Sequence, residues 1–140
     1  MTSSPDTTGT EDVTLVRNAI HNPADPRHFM RVVPAGGTRT ANANGSEIAR
    51  SDHALVVKEV GRDVYDHVVY FPRADVDQAA LASIDKTTHC PLKGDTEYFD
   101  VVVGEDRLTE AAWSYTDTID VAEVLNGLIA FDASKVSIGR

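Results

Sequence analysis

The stretch that decides the fold runs Tyr98-Phe99-Asp100-Val101-Val102-Val103, then Gly104-Glu105-Asp106, then Leu108 to Tyr115. Both flanks are rich in β-branched and aromatic residues, and the middle carries turn formers, so the pattern predicts a β-hairpin. Trp113 and Tyr115 fall two apart, on one face of the second strand.

Working upstream, similar signals recur. Arg31 to Ala35 reads as a strand stopped by Gly36-Gly37. Asn44-Gly45 is the dipeptide best suited to a tight hairpin turn, and it leads into a strand through Ile48. Ala54 to Val60 and Val64 to Phe71 follow as strands, the second ended by Pro72. Asp75 as cap and Gln78 three residues later then predict a helix, with Val76, Ala79, Ala80 and Ile84 on its buried face. Lys86 to Cys90 resumes as strand, and Pro91 to Gly94 makes a turn. A short helix over Val121 to Leu125 and a strand over Leu128 to Phe131 complete the pattern. Before all these, residues 1–10 read as a disordered tail, and Asp12 to Ile20 as a short helix. The expectation is an α+β, mostly β domain over 11–140.

Bulk properties bound the function. The chain has 140 residues, a net charge of -9 and a hydrophobic fraction of 41%. A chain of this length buries roughly 65–70% of its unfolded surface, enough for a core without staples. The acidity opposes nucleic-acid binding, since phosphate backbones are repelled. One cysteine, Cys90, excludes an internal disulfide and any four-cysteine zinc site. No apolar run reaches the roughly 20 residues of a membrane span, and no signal peptide is evident, so a cytoplasmic location is expected. Oligomeric state is not legible.

Several stretches together resemble a known family. They are Glu47-Ile48-Ala49-Arg50-Ser51, Lys58-Glu59, Tyr70-Phe71-Pro72-Arg73-Ala74-Asp75-Val76, Thr87-Thr88-His89-Cys90-Pro91-Leu92-Lys93-Gly94-Asp95, Tyr98-Phe99, Ala112-Trp113-Ser114-Tyr115 and Ala130-Phe131. Their order from Arg31 to Val136 resembles the bacterial and archaeal family known as domain of unknown function 427. The chain departs from it at Leu92, where an aromatic is usual, near Thr118, where a proline is usual, and at Asp132, where a tyrosine is usual. The resemblance implies a β-tent, two antiparallel sheets leaning together, similar in this respect to methionine sulfoxide reductase B and the ligand-binding domain of cereblon. It implies no mechanism.

Candidate chemistry gathers at a few positions. Arg73, after a stiff proline corner, has the planar fork that clamps a carboxylate or phosphate, or else pairs with a neighbouring acid. Cys90 is a nucleophile if Lys93 or His89 lowers its pKa, although His89 points away from it on a strand and a structural thiol is the plainer reading. Glu59 is either a pocket acid with a raised pKa or a solvated carboxylate. Tyr70, Trp113 and Tyr115 either wall a pocket or belong to the core. The nucleotidyltransferase label that the family also carries finds no support in Asp75 and Asp77, which diverge at a helix start, nor in any phosphate-binding glycine motif. The histidines, His21, His28, His53, His67 and His89, show no metal-ligand spacing, so neither metal nor cofactor is expected.

Three functions remain. The first is binding of a small polar or anionic molecule in a pocket between the sheets, edged by Glu59, Tyr70, Arg73, Cys90, Lys93, Trp113 and Tyr115. The second is an enzyme, for instance a transferase, working in the same pocket, and the third a protein-interaction scaffold.

Overall fold

The computed structural model describes residues 16–140. The expected tail, and the expected helix up to residue 15, lie outside them. Ile20 begins a strand instead.

The strands are β1 (Ile20–Asn22), β2 (Asp25–Pro34), β3 (Arg39–Ala43), β4 (Ser46–Ser51), β5 (Leu55–Val60) and β6 (Val68–Phe71). They continue as β7 (Leu81–Ile84), β8 (His89–Cys90), β9 (Gly94–Val103), β10 (Asp106–Thr118), β11 (Ile129–Phe131) and β12 (Ser137–Gly139). The larger sheet runs β1-β2-β5-β6-β11-β10-β9-β7, with β8 on β9, and the smaller runs β12-β3-β4. Every pairing is antiparallel. The fold is mostly β, as the residues predict, and lies in two antiparallel sheets, as the resemblance implies.

The hairpins form where their turn residues stand. Asn44 and Gly45 both take positive φ, 48° and 83°, the backbone a two-residue hairpin turn needs. The deciding hairpin is β9–β10, and Trp113 pairs with Tyr98 across it. β10 bulges between Leu108 and Ala112, where Glu110 has a φ of 50°. Asp100 pins this bulge, accepting from the Glu110 backbone N–H at 2.8 Å and from Arg107 Nε at 2.6 Å. Those bonds hold its carboxyl below the usual range. A bulge bends the strand and increases its twist.

The helix expected from Asp75 to Ile84 does not form. Two 3-10 turns, Arg73–Asp75 and Gln78–Ala80, take its place, and Leu81 to Ile84 is β7. Between the turns Val76 is extended, with φ -110° and ψ 138°. It bridges to Ala49, while the Asp77 N–H donates to the Ile48 carbonyl at 2.8 Å. Sheet pairing thus overrides a helical pattern. The cap moves too: Asp77 accepts from the Ala79 N–H at 3.0 Å, whereas Asp75 accepts from the Ser51 hydroxyl at 2.5 Å. Smaller shifts follow elsewhere. Of Val64 to Phe71 only Val68–Phe71 is strand, and of Lys86 to Cys90 only His89–Cys90. The Val121 to Leu125 helix is a 3-10 run over Asp120–Leu125.

Alternation along the strands splits the larger sheet into two apolar faces. One presents Phe71, Phe99, Val101, Ala112, Ile129 and Phe131 to Ala41, Ala43, Ile48 and Ala49 of the smaller sheet. Phe71 and Phe131 meet edge to face at 5.7 Å, and burying each phenylalanine contributes about 1.5–3 kcal/mol. The other face presents Met30, Val57, Tyr70, Tyr115 and Ala130, closed by Leu92 and Leu125 from the loops. Leu92 is fully buried in this cluster, so at this departure from the family pattern the residue belongs to the core.

The larger sheet is strongly curled. β5 and β9 are four strands apart in its order, which is about 19 Å in a flat sheet. Yet Glu59 of β5 touches Lys93, the residue before β9. The curl turns the second face into a concave one.

Candidate functional site

The concave face holds an open hollow of about 420 Å³. Its walls are Tyr70, Tyr98, Trp113 and Tyr115, with Val68 between them. The whole chain has four tyrosines and one tryptophan, so most of its large amphipathic rings gather in one place. Tyr98 and Trp113 lie with centroids 6.4 Å apart and planes tilted by 36°. The Trp113 Nε1–H donates to the Tyr70 hydroxyl at 3.3 Å, fixing the angle between two walls. Burial pushes the Tyr70 and Tyr115 phenols well above the ordinary tyrosine range, so both remain protonated donors at neutral pH.

Glu59 and Lys93 meet as an ion pair in the same lining. Their side chains are 15% and 8% exposed. Lys93 is placed by its neighbours: its N–H donates to the Cys90 carbonyl at 3.2 Å and its carbonyl accepts from the Ile119 N–H at 3.0 Å. Gly94 follows with φ +123°, and a Cβ there would stand 2.2 Å from the Asp117 carbonyl oxygen. Only glycine lets β9 start this close to the end of β10, and that approach delivers Lys93 to the hollow. The Lys93 ammonium also stands 5.6 Å from the Tyr115 ring centroid.

Burial is the largest influence on Glu59 and raises its pKa, but the hydrogen bonds and charges of Lys93 and His28 together outweigh it. The carboxyl ends below its usual range. Glu59 is therefore neither a raised-pKa acid nor a solvated carboxylate.

Behind Glu59 runs a relay the sequence did not disclose. The Asn22 side-chain oxygen accepts from the Ala24 N–H at 2.9 Å, which turns its amide nitrogen toward His28 Nδ1 at 3.2 Å. Nδ1 must then accept, so the proton is on Nε2, which donates to Glu59 Oε2 at 2.7 Å. Donor atoms of His28, Glu59 and Cys90 lie within 4.8 Å of one another, a grouping that histidine spacing along the chain conceals. As a metal site it is poorly matched. A metal on Nε2 would leave an Nδ1–H facing the Asn22 amide hydrogens, and the Lys93 ammonium already holds Glu59.

The rim carries charge in balanced form. Glu110 takes the Lys86 ammonium at 2.5 Å, and Lys135 donates to the Thr109 carbonyl at 2.6 Å. Asp132 accepts from the Ser134 hydroxyl and N–H at 2.6 and 2.9 Å, which holds its carboxyl below the usual range.

Of the seven candidates, the hollow brings together Glu59, Tyr70, Lys93, Trp113 and Tyr115. Cys90 lies just behind, packed in the apolar cluster with Met30 and Leu92 and near Glu59. Arg73 is elsewhere. Its guanidinium covers the Phe99 ring at 5.6 Å, on the opposite face of the sheet, with Gly127 carbonyl and Glu97 as its polar neighbours at 3.5 and 4.0 Å. The common hollow expected for Arg73 and Lys93 is not there, because Arg73 leaves β6 on the Phe71 side. The hollow is also lined by the larger sheet and its loops, with no residue of β3, β4 or β12. His28, Tyr98, Glu110, Asp132 and Lys135 join the site unforeseen.

No described helix is long and apolar enough to cross a membrane. No curated protein matches the chain. The nucleotidyltransferase label belongs to the family's name alone, and the hollow adds no phosphate-binding loop to it. Residues 31–140 match the family described as Domain of unknown function (DUF427), and the chain belongs to that family.

Proposed function

We propose that this protein binds a small polar molecule in the concave hollow. The observation that carries the reading is the convergence of four aromatic rings on a buried Lys93–Glu59 pair. Rings supply apolar contact area, and a few placed polar groups supply orientation, which is the composition of ligand sites. Depressions of similar volume lie elsewhere on the surface, and it is the lining of rings and a buried ion pair that sets this one apart.

The enzyme reading uses the same residues and has less behind it. Cys90 and His28 are neighbours, but the His28 Nε2–H is committed to Glu59, and the phenols are held protonated. Among the described residues no base is hydrogen-bonded to the Cys90 thiol. A scaffold role needs no hollow. The net charge of -9 disfavours a nucleic-acid partner, and the single free thiol fits a reducing, cytoplasmic setting.

A thermal-shift screen against small metabolites of varied charge tests the proposal. A Tm that rises with ligand concentration in the wild type, and fails to rise in Trp113→Ala, is expected. Equal shifts in both proteins, or no shift across the panel, would count against binding in this hollow.

A further inference from the structure

The larger sheet is split beside the hollow. β6 and β11 pair at Phe71 with Ile129 and at Tyr70 with Ala130, and then part. Each strand stays with its other neighbour. β6 keeps to β5 as far as the pair of Val68 with Val57. β11 keeps to β10 through Phe131 and Ala112, after which the Asp132 N–H donates to the Ala111 carbonyl at 2.8 Å. Continued pairing would set Phe131 against Val69. The strands diverge instead, with Val68 and Val69 on one arm and Phe131 and Asp132 on the other. All four residues line a second depression, of about 410 Å³.

This cleft and the hollow adjoin across the split, since Val68, Trp113 and Asp132 line both. Its far side belongs to the smaller sheet, through Arg39 of β3 and Ile138 of β12. Val56 and Phe131 are its buried members, at 8% and 3% exposure, and Val69, Ile138 and Arg39 are half-buried. Asp66, His67 and Ala133 are exposed at its margin. The charges are of both signs, Arg39 against Asp66 and Asp132, so the lining selects no net charge. Its inner surface is mainly hydrocarbon, which gains from covering by hydrocarbon.

Resting on the binding reading above, we infer that the ligand has two parts: a polar part among the rings of the hollow, and an uncharged hydrocarbon arm of a few carbons that crosses the split into the cleft between the sheets. The class is an amphiphilic small molecule. A compact polar ligand would use the hollow alone and leave the parting of β6 and β11 without a part in binding.

Benzyl alcohol, 4-ethylbenzyl alcohol and 4-butylbenzyl alcohol share a ring and a hydroxyl and differ in the arm alone. The chain has a single tryptophan, so one indole N–H resonance reports on the junction, while the methyl groups of Val56, Val69 and Ile138 report on the cleft. The butyl compound is expected to shift the indole saturably and to move all three sets of methyl resonances, which benzyl alcohol leaves in place. Affinity is expected to rise about threefold per added methylene. Ile138→Phe narrows the cleft and is expected to remove most of that gain while leaving benzyl alcohol unchanged. Methyl resonances that stay still while the butyl compound shifts the indole would overturn the inference, and this readout needs no variant. The same gain in a folded Ile138→Phe protein would overturn it too. Silence from all three compounds, while another metabolite still raises the Tm of the wild type and not of Trp113→Ala, overturns this ligand class alone. Silence from these and from the whole metabolite panel overturns the binding proposal with it.

Discussion

Lys93 and Glu59 are 34 positions apart in the chain and meet as a buried ion pair in the lining of the hollow. Their contact closes a curl that a flat sheet of this strand order would hold open. Removing Lys93 leaves the buried Glu59 carboxylate with His28 as its remaining partner, and breaking a buried pair in this way typically costs about 3–5 kcal/mol. Lys93→Met is therefore expected to lose stability on that scale in urea unfolding. Adding Glu59→Gln, which still accepts from His28, is expected to recover most of the loss. A double variant as unstable as the single one would show that Lys93 contributes through packing rather than charge.

The same pair predicts an acid limb. Glu59 has a folded pKa below the value of 4.5 it starts from. A depressed carboxylate contributes stability that is present above the unfolded value and lost as pH falls through the folded one. Stability of the wild type is expected to decline below about pH 4.5, and Glu59→Gln to decline less steeply there. Parallel pH profiles for the two proteins would remove Glu59 from the account.

Gly94 permits the close approach that places Lys93. Holding a side chain in its φ of +123° costs on the order of 1–3 kcal/mol, and a Cβ 2.2 Å from the Asp117 carbonyl forces backbone to move as well. Gly94→Ala is expected to lower stability by more than about 2 kcal/mol and to weaken ligand binding together with it. A well-folded Gly94→Ala protein with a normal denaturation midpoint would contradict this placement.

Arg73 provides the contrast. It is half exposed, over Phe99 on the far face of the sheet. Arg73→Ala is expected to cost under about 1 kcal/mol and to leave binding in the hollow unchanged. A selective loss of binding in this variant, at unchanged stability, would mean that the site extends to the other face.

Most of the sheet architecture is legible in local chemistry, because Asn44-Gly45 and Gly104-Glu105 mark turns whose flanks alternate. What escapes is set by distant partners. Val76 carries a helical pattern, yet Ala49 and the Ile48 carbonyl draw it into an extended bridge. The candidate site is partly legible for a related reason. Trp113 and Tyr115 fall on one face by alternation alone, whereas Tyr70 and Tyr98 need the registers of neighbouring strands. Counting from the pair Val103 and Asp106 would set Trp113 against Thr96; the bulge shifts the pairing by two, and Trp113 meets Tyr98 instead. His28 and Asn22 had no sequence signal, since their place beside Glu59 is set by the β2–β5 register, which puts Met30 opposite Glu59 and His28 two residues along on the same face. Arg73 misled because a proline corner says that a side chain projects, but not from which face.

Soaking crystals of the protein in a library of small uncharged and charged fragments tests the central claim most directly. The account predicts that fragments gather in the hollow between Lys93 and Trp113. Fragments that decorate other surfaces while the hollow holds only solvent would contradict it.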